Sequence, residues 1–425
     1  MNVSPLIILK ARRAVHSGGY YRLYELLKIG KEEKINYIVV TDHTSYRNFV
    51  YMFPDFIDIL RQYKTYCISS GEKNHTQMPG LKVIMDYKDC FSYAISISKI
   101  AKNEKTDLII GPSEGTQIVW TSYFSGNLSR KPWTALFQGE KDIFQPTNGL
   151  SPINPFNVLK HINGKRSMKN ASLMSKLGFS IELQGLLKIC EKSLILTVGR
   201  TLSDAITYLN PRISFHIISP GNGVDLKRFN KRVRDTTTSF DCLYFSRLVP
   251  EKGLFELPFI WKKVVKKFPQ AKLAVAGPVE NQTYVNIFKK MISEHYLSRN
   301  VVYLGFQDKD SIIELISRSK ITIYPSFLDV FSLVVLESLA GGTPVVAYNI
   351  PAIKYNFSDC KAVLPCTTGD RTMMAKKIIF LLENEDLRDK LSKNAKEYAK
   401  KFDWKNVVKA EKEAYFKVIE WFSSS

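Results

Sequence analysis

The chain has 425 residues, of which 45% are hydrophobic and 24% are charged, and its formal net charge at pH 7 is +21. A chain of this length exceeds what one hydrophobic core usually supports, so we expect two domains or one very large domain. The composition is that of a globular protein, and the lack of a run of about 18 apolar residues argues against a membrane-spanning helix. The net charge favours a polyanionic partner: a nucleic acid, an anionic membrane surface or a phosphorylated substrate.

The beginning of the chain has too short an apolar run for a signal peptide, and positive charges follow that run. We therefore expect a cytoplasmic protein, with peripheral attachment to the inner face of the cell membrane as a further possibility to test. The cysteines form no CxxC pair and have no histidine at ligand spacing, which predicts reduced, mostly buried thiols rather than a metal or redox site. They are Cys67, Cys90, Cys190, Cys242, Cys360 and Cys366.

Strand and helix patterns alternate through the first half of the chain. An apolar strand at residues 6–9 precedes a loop with Gly18 and Gly19, after which Leu23 and Leu27 begin a helical pattern. A later helix is predicted around residues 94–101. This alternation predicts a parallel, doubly wound α/β sheet. The other strands predicted in this half are 37–40, 81–85, 108–110, 134–137 and 194–198.

A second α/β series follows residues 231–239, which are polar, charged and without an apolar period, as in an interdomain linker. Helices are predicted at 259–268 and 311–317. The tail at 406–422 has its apolar residues on one face, so it is an amphipathic helix that needs a surface to cover. The strands predicted in this half are 242–245, 273–276, 301–304, 321–324 and 344–347.

These patterns predict three parts of the chain: a first domain at 1–232, a second domain at 240–403, and a C-terminal helix at 404–425 that packs back toward the first domain. Open parallel sheets bind ligands at the carboxyl ends of their strands. Two such sheets facing each other would enclose a cleft for a ligand.

The most informative stretch is 324–347, which reads as strand, loop, short helix, glycine stop and strand. Gly341 and Gly342 are predicted to supply left-handed or flexible positions at the end of the helix, and Pro344 prevents its continuation. Ser332 is a suitable N-cap.

Two carboxylates accompany this helix. Because the helix follows Asp329, its free N–H groups and positive dipole end would point at a ligand at the strand termini, which suits a diphosphate. Carboxylates accept hydrogen bonds from paired hydroxyls, so Asp329 could hold sugar hydroxyls and Glu337 a ribose.

The stretch resembles the E-x7-E signature of retaining glycosyltransferases of the GT-B fold, family 4. Asp329 stands where that signature usually has glutamate, and Ser332 stands where it usually has glycine. The resemblance implies an α/β GT-B architecture, in which two Rossmann-like domains face each other across a cleft. It also implies that the second domain binds the nucleotide sugar.

Residues 245–253 are similar to the GRLxxxKG turn of the same family. The resemblance implies that Arg247 chelates two phosphate oxygens while Lys252 adds a mobile point charge. Two cations on one turn would stabilise the departing nucleoside diphosphate, so we expect no metal and no cofactor beyond the UDP-, GDP- or other nucleotide-sugar donor.

Further motifs follow in the order of the family over roughly residues 195–420. The resemblance places Gly277, Phe306 and Ser332 beside the donor, with Phe331 and Leu333 as packing residues whose neighbouring backbone contacts it. The remaining matches are Pro220-Gly-Asn-Gly223-Val-Asp225 with Phe229, Ala276-Gly277-Pro278, Leu304-Gly305-Phe306 and Trp404.

The first domain departs from the family pattern. Gly18 and Gly19 match a glycine-rich loop whose missing side chains let the backbone approach the diphosphate, although a glycine pair equally makes an ordinary turn. The family often has a histidine after a mid-domain strand, and here Gln138 takes that place. The alternatives that the sequence leaves open are His16, His43 and His161.

The matched motifs supply phosphate-binding cations and hydroxyl-binding acids but no nucleophile with a base. We therefore expect transfer with retention, in which the leaving phosphate takes the acceptor proton. Residues 156–179 mix cations with apolar residues, and such a segment can lie on an anionic bilayer or form an ordinary solvated helix. The bilayer alternative would make the acceptor a polyprenyl-linked or other lipid-linked glycan.

Two other functions fit part of the sequence. A nucleotide-sugar 2-epimerase shares the fold, but the order of the motifs favours transfer. A non-catalytic polyanion- or nucleic-acid-binding protein on a glycosyltransferase scaffold would explain the charge. The basic residues are spread widely along the sequence without a recognised nucleic-acid motif, so no nucleic-acid partner is expected.

Overall fold

The computed structural model describes residues 2–11, 18–69, 79–113, 116–138, 183–230 and 240–424, with the backbone alone for 79–87, 113 and 230. The predicted linker, the predicted bilayer segment, His16 and His161 lie outside the described residues.

The chain divides into two compact units. The first unit comprises Met1–Asn222 together with Trp404–Ser425, and the second comprises Gly223–Asp403. Residues 223–230, which the sequence prediction assigned to the first domain, therefore lie in the second unit.

The first unit is built on a parallel sheet with the strand order β3-β2-β1-β4-β5-β6-β7. This is the Rossmann order extended by a strand. Parallel sheets are covered on both faces, and the central strands are accordingly buried along their whole length. The strands are β1 (Pro5–Leu9), β2 (Ile38–Thr41), β3 (Lys64–Cys67), β4 (Leu108–Ser113), β5 (Trp133–Phe137), β6 (Leu194–Thr197) and β7 (Ser214–Ile217).

One predicted strand of this unit is wrong, because residues 81–85 lie inside the helix Pro79–Asn103. A short apolar run cannot be assigned by periodicity alone, and the helical spacing of buried residues further along the segment decides the matter. The short edge strands β3 and β7, which are only partly buried, have no strong apolar pattern and were not predicted. The helices are Gly18–Gly30, His43–Met52, Phe56–Leu60, Pro79–Asn103, Thr116–Ser129, 183–190, Arg200–Leu209 and Trp404–Ser424.

The C-terminal helix Trp404–Ser424 is held in the first unit by a buried polar network. Arg22 Nη2 donates to Glu411 Oε2 at 2.5 Å, and both side chains are fully buried. Arg22 Nε donates to the Gly221 carbonyl at 2.7 Å, and the Tyr415 hydroxyl donates to Glu411 Oε1 at 2.9 Å. A buried ion pair needs such additional hydrogen bonds to offset its desolvation. The amphipathic tail therefore has the covering surface that its pattern requires.

The second unit is built on a parallel sheet with the strand order β10-β9-β8-β11-β12-β13, again a Rossmann order. Every strand predicted here is present within one or two residues, and β13 is an additional strand at the sheet edge. The strands are β8 (Phe240–Phe245), β9 (Leu273–Ala276), β10 (Val301–Gly305), β11 (Ser319–Tyr324), β12 (Val345–Tyr348) and β13 (Val363–Cys366).

The helices of the second unit form a layer on each face of its sheet, as right-handed crossovers require. We name them the basic layer and the mixed layer for the charges described below. The basic layer consists of Leu257–Lys267, Gln282–Glu294 and Arg371–Glu383. The mixed layer consists of Lys309–Ser317, Leu333–Ala340, Pro351–Asn356 and Glu385–Ala399. Shorter pieces are Leu226–Asn230 and the 3₁₀ turns Pro250–Lys252, Leu254–Glu256 and Lys400–Phe402.

Candidate active site

The predicted residues of the second unit lie at the carboxyl edge of its sheet. Arg247 and Lys252 follow β8, Gly277 follows β9, Phe306 follows β10 and Asp329 follows β11. Because all these strands are parallel, their carboxyl ends share one edge, which is where open α/β sheets bind ligands.

The turn after β8 and the loop after β11 interlock through backbone contacts. Gly253 has φ +79°, and a Cβ there would lie 2.1 Å from the Pro325 carbonyl oxygen. The Phe327 N–H donates to the Glu251 carbonyl at 2.9 Å. Only glycine permits this approach, so the second glycine of the sequence motif serves the packing of the two loops.

Lys252 and Asp329 form an ion pair at this junction. Lys252 Nζ lies 3.0 Å from Asp329 Oδ2 and 2.7 Å from the Leu328 carbonyl, and Lys252 is only 7% exposed. Two oxygens and the surrounding protein hold this ammonium, for which the resemblance implied a mobile point charge. Lys252 and Asp329, to which the sequence assigned separate roles at the donor, are in direct contact.

The Asp329 carboxylate is held ionised by its neighbours. Burial works to raise its pKa, but the Lys252 charge and hydrogen bonds from the Tyr324 hydroxyl and the Val330 N–H outweigh burial and lower the pKa. The Val330 N–H donates to Oδ1 at 2.8 Å, while Tyr324 and Lys252 both donate to Oδ2. An ionised carboxylate is an acceptor with about four lone-pair positions. The three hydrogen bonds occupy three of these positions on Asp329, whose side chain is 24% exposed.

Arg247 and Glu337 each pair with a residue that sequence reasoning did not identify. Arg247 Nη1 donates to Glu280 Oε1 at 2.8 Å, and Glu280 lies in the loop after β9. Lys309, at the start of the helix after β10, forms an ion pair with Glu337. Neither Glu280 nor Lys309 belongs to a recognised motif. Each lies in the connection after a different strand from the one that precedes its partner, about 30 residues away in the sequence.

The helix Leu333–Ala340 begins with an unusual backbone. Ser332 is its N-cap, as predicted, but has φ +75° and makes no side-chain capping hydrogen bond. The left-handed region favours glycine. This preference is a physical reason why the E-x7-E signature usually has glycine at the position of Ser332. At the other end Gly342 is left-handed with φ +80°, whereas Gly341 is helical with φ −75°. A Cβ on Gly341 would lie 2.4 Å from Ile316 Cγ2, so packing requires that glycine.

The other predicted donor residues have different surroundings. Gly277 has φ +149°, and a Cβ there would lie 1.7 Å from the Ser246 carbonyl oxygen, so it lets the β9 loop approach the turn after β8. Phe306 is 67% exposed. Phe331 is buried against the Phe357 and Phe402 rings, and Leu333 packs partly buried against the core, as expected of packing residues.

A hydrogen-bond network around the buried Glu256 supports the turn that carries Lys252. Arg371 Nε and Nη2 donate to the two oxygens of Glu256 at 2.9 and 2.6 Å, and the Tyr348 hydroxyl donates to Glu256 at 2.8 Å. The Tyr348 ring also contacts Phe327 at a centroid distance of 5.4 Å. The bidentate guanidinium–carboxylate geometry fixes both partners in orientation. The network therefore contacts both the turn after β8 and the loop after β11, and holds them in place.

The predicted residues of the first unit lie after its strands. Gly18 and Gly19 occupy the first turn of the helix that follows β1, rather than a loop. Gln138 directly follows β5 and is half-buried. His43 is exposed at the start of a helix, and its Nδ1 lies 3.4 Å from Sγ of the exposed Cys67. The other five cysteines are buried, as the sequence predicted for most of them.

Among the described residues, no helix is both long and apolar enough to cross a membrane. In the same parts of the chain, His, Cys, Asp and Glu side chains form no group of three or more that could hold a metal ion.

Comparison with solved structures defines the class of fold. A glycosyltransferase of Rickettsia africae superposes over 98% of this chain and 99% of its own, with a TM-score of 0.69 and 17% identity. Anabaena HepE in complex with UDP-glucose superposes over 100% of both chains, with a TM-score of 0.62 and 16% identity. The two Rossmann-like units thus have the GT-B fold.

Comparison of sequences relates the second unit to a family of glycosyltransferases. Residues 227–398, nearly the whole second unit, contain a domain that matches the family model "Glycosyl transferases group 1". Glycogen synthase of Mycobacterium tuberculosis is 25% identical over 227 residues, which cover 53% of this chain and 54% of that protein. The chain spans about half the length of these curated relatives.

Proposed function

We propose that this chain is a glycosyltransferase that takes a sugar from a nucleoside-diphosphate sugar bound at the carboxyl edge of the second unit. The observation that carries the proposal is the fixed Lys252–Asp329 pair, which joins the turn after β8 to the loop before the helix Leu333–Ala340. A helix N-terminus and two cations suit a diphosphate, and adjacent carboxylates suit hydroxyls. The matching family model over residues 227–398 supports the same conclusion.

Asp329 is proposed to bind a hydroxyl of the donor sugar. Its Oδ2 already accepts from Lys252 and Tyr324, and its Oδ1 accepts from the Val330 N–H. One acceptor position on Oδ1 is left for a ligand hydroxyl. Lys252 then has two effects: it keeps the carboxylate ionised and places a fixed positive charge beside the departing phosphate.

Arg247 and Glu337 are proposed to exchange their present partners for the donor. Arg247 would leave Glu280 and chelate the phosphates in a bidentate manner, which its planar guanidinium favours. Glu337 would accept the ribose hydroxyls while Lys309 balances its charge. The exposed Phe306 ring offers an apolar face on which a nucleobase can stack.

Uridine nucleotides are the first donors to test. HepE, which shares the fold, was solved with UDP-glucose, and the exposed Phe306 ring accepts any base face. Thermal-shift measurements with UDP, GDP and a short oligonucleotide would separate the candidate functions. Stabilisation by UDP or GDP supports donor binding, whereas stabilisation by the oligonucleotide alone would identify a nucleic-acid-binding protein instead.

Activity is tested by incubating the protein with several UDP- and GDP-sugars and measuring release of the nucleoside diphosphate. We expect Arg247→Ala and Lys252→Ala to abolish release, while Lys393→Ala, an exposed lysine of the mixed layer, retains it. Circular dichroism would verify that the variants are folded. Near-normal turnover in both site variants would refute the proposed roles, and conversion of the donor to its 2-epimer without release would identify an epimerase.

We further propose that transfer retains the anomeric configuration, as in family 4. The bond from the sugar C1 to the phosphate oxygen breaks, and its electron pair leaves with the nucleoside diphosphate. The acceptor oxygen bonds to C1 on the same face, and its proton passes to the departing phosphate oxygen. The anomeric proton coupling of the product decides this point by NMR, because an inverted linkage would exclude the step.

The acceptor is proposed to be a glycan or a polyprenyl-linked glycan that binds at the carboxyl edge of the sheet of the first unit. The residues to test are Gln138 and His43, which follow β5 and β2, and Gly18 and Gly19, which begin the helix after β1. A donor-loaded assay with soluble oligosaccharides and with lipid-linked glycans would distinguish the two acceptor classes.

A further inference from the structure

The charge of the second unit is concentrated on one of its two helix layers. The three helices of the basic layer carry nine Lys and Arg residues and two carboxylates. The four helices of the mixed layer carry six Lys and Arg residues and seven carboxylates. The basic residues look evenly spread along the sequence, but the fold places an excess of positive charge on one face of the sheet.

Lysines make up nearly all of this excess, and most of them are exposed. Lys262, Lys263, Lys266 and Lys267 occupy the solvent face of Leu257–Lys267, opposite the buried Ile260, Trp261 and Val264. The neighbouring helices that pack against it add the exposed Lys289, Lys290 and Lys376. Both carboxylates, Glu294 and Glu383, are the last residues of their helices.

Two apolar side chains lie exposed among these lysines. Phe380 is 49% exposed one helical turn after Lys376, and Ile287 is 42% exposed and lies on the same helix face as Lys290, three residues later. Lysine is a flexible point charge without the planar fork that reads phosphates in fixed geometry. A row of lysines with interspersed apolar side chains is suited to the headgroup region of a bilayer, because lipid headgroups and lysine side chains attract each other without a fixed geometry.

We propose that the basic layer is a docking surface for an anionic lipid bilayer. This inference is independent of the proposed transfer activity and of residues 156–179. The lysines of Leu257–Lys267 and Gln282–Glu294 lie in the C-terminal halves of helices that begin near the carboxyl edge of the sheet, and so point toward its amino edge. The surface is therefore distant from the donor site, which favours a membrane anchor over a binding site for a polyanionic acceptor.

Co-sedimentation of the full chain with vesicles at low salt tests the proposal. We expect binding to vesicles of phosphatidylglycerol and phosphatidylcholine, none to phosphatidylcholine alone, and loss of binding at high salt. The double variant Lys262→Glu/Lys266→Glu should bind at least about 20-fold more weakly, since each basic residue near such a surface contributes on the order of 1 kcal/mol.

The matched control is Lys390→Glu/Lys393→Glu, which makes the same change in net charge on exposed positions of the mixed layer. It should bind the anionic vesicles nearly as tightly as the original chain. Phe380→Ser should weaken binding without changing the salt dependence. Equal losses in the two double variants would overturn the proposal, because net charge alone would then explain binding. The proposal also fails if anionic vesicles do not bind, or if the basic-layer variant loses affinity only for soluble heparin or RNA.

Discussion

At the scale of single residues, the candidate site is a set of ion pairs whose strengths differ with burial. Lys252 is buried and pairs with Asp329, whereas Arg247 pairs with Glu280, which is nearly half exposed. Exposed pairs contribute little, and buried ones are costly to break. The Lys252–Asp329 pair is therefore a fixed part of the site, while the Arg247–Glu280 pair can open for a ligand.

Replacement of Asp329 by Asn should destabilise the protein by about 2 kcal/mol at pH 7, because it leaves the buried Lys252 charge without its anionic partner. The folded-state pKa of Asp329 is lowered, so its stabilising contribution is present above the unfolded-state pKa and is lost as the pH falls through the folded-state value. Urea unfolding at pH 7 and near pH 3 should thus show a difference between the two proteins that shrinks in acid. An equal difference at both pH values would contradict this account.

Replacement of Glu280 by Gln should strengthen UDP binding by roughly twofold to fivefold, since it removes an exposed competitor of the phosphates for Arg247. Isothermal titration calorimetry measures the change. Glu294→Gln, which removes an exposed carboxylate at the end of the helix Gln282–Glu294, is the control and should leave the affinity unaltered. Weaker binding by the Glu280 variant would show that this carboxylate assists the ligand rather than competing with it.

At the scale of elements, the helix Leu333–Ala340 shows how one backbone conformation determines what a motif tolerates. Ser332 adopts the left-handed region immediately before the first helical residue, where a Cβ is unfavourable. Its side chain is buried and does not cap the helix. The serine in place of glycine therefore costs stability at this position.

Ser332→Gly should raise the free energy of unfolding by about 0.5 to 1 kcal/mol, because glycine occupies this backbone region without a steric penalty. Chemical denaturation measures the change. Ser338→Gly, at an interior position of the same helix, should lower stability by about 1 kcal/mol. Destabilisation in both variants would show that the buried serine side chain contributes more than the backbone relief.

At the scale of the whole molecule, the first unit is formed by two segments that are far apart in the sequence, Met1–Asn222 and Trp404–Ser425. The helix Trp404–Ser424 belongs to the first unit, where Glu411 accepts from Arg22 and Tyr415. The Tyr415 hydroxyl also lies 3.1 Å from that of Tyr37, and burial raises the pKa of both phenols. This buried network makes the first unit dependent on residues at the two ends of the chain.

Glu411→Gln should destabilise the first unit by about 3 kcal/mol, since it leaves the fully buried Arg22 guanidinium without a negative partner. Differential scanning calorimetry should show a lower unfolding temperature. Glu413→Gln, at an exposed position of the same helix, is the control and should have no measurable effect. Equal unfolding temperatures of the original chain and the Glu411 variant would mean that the network contributes no net stability.

Local patterns in the sequence predicted most of the second unit. Apolar periodicity predicted the strands β8 to β12 of that unit, and it also predicted the amphipathic tail, which belongs to the first unit. It could do so because period and turn chemistry are properties of neighbouring residues. The order of the motifs placed Arg247, Lys252 and Asp329 after strands whose carboxyl ends must share an edge. The weakly patterned edge strands and the helix across residues 81–85 were missed, because short runs there carry no distinctive period.

Contacts between residues distant in sequence were decided by the tertiary structure alone. Periodicity does not encode which strand lies beside which, so neither Glu280 beside Arg247 nor Lys309 beside Glu337 could be predicted. The same holds for the fixed position of Lys252, which depends on burial between two loops. It holds as well for the basic layer, since net charge belongs to the composition, whereas the face on which charge collects depends on the handedness of the strand crossovers.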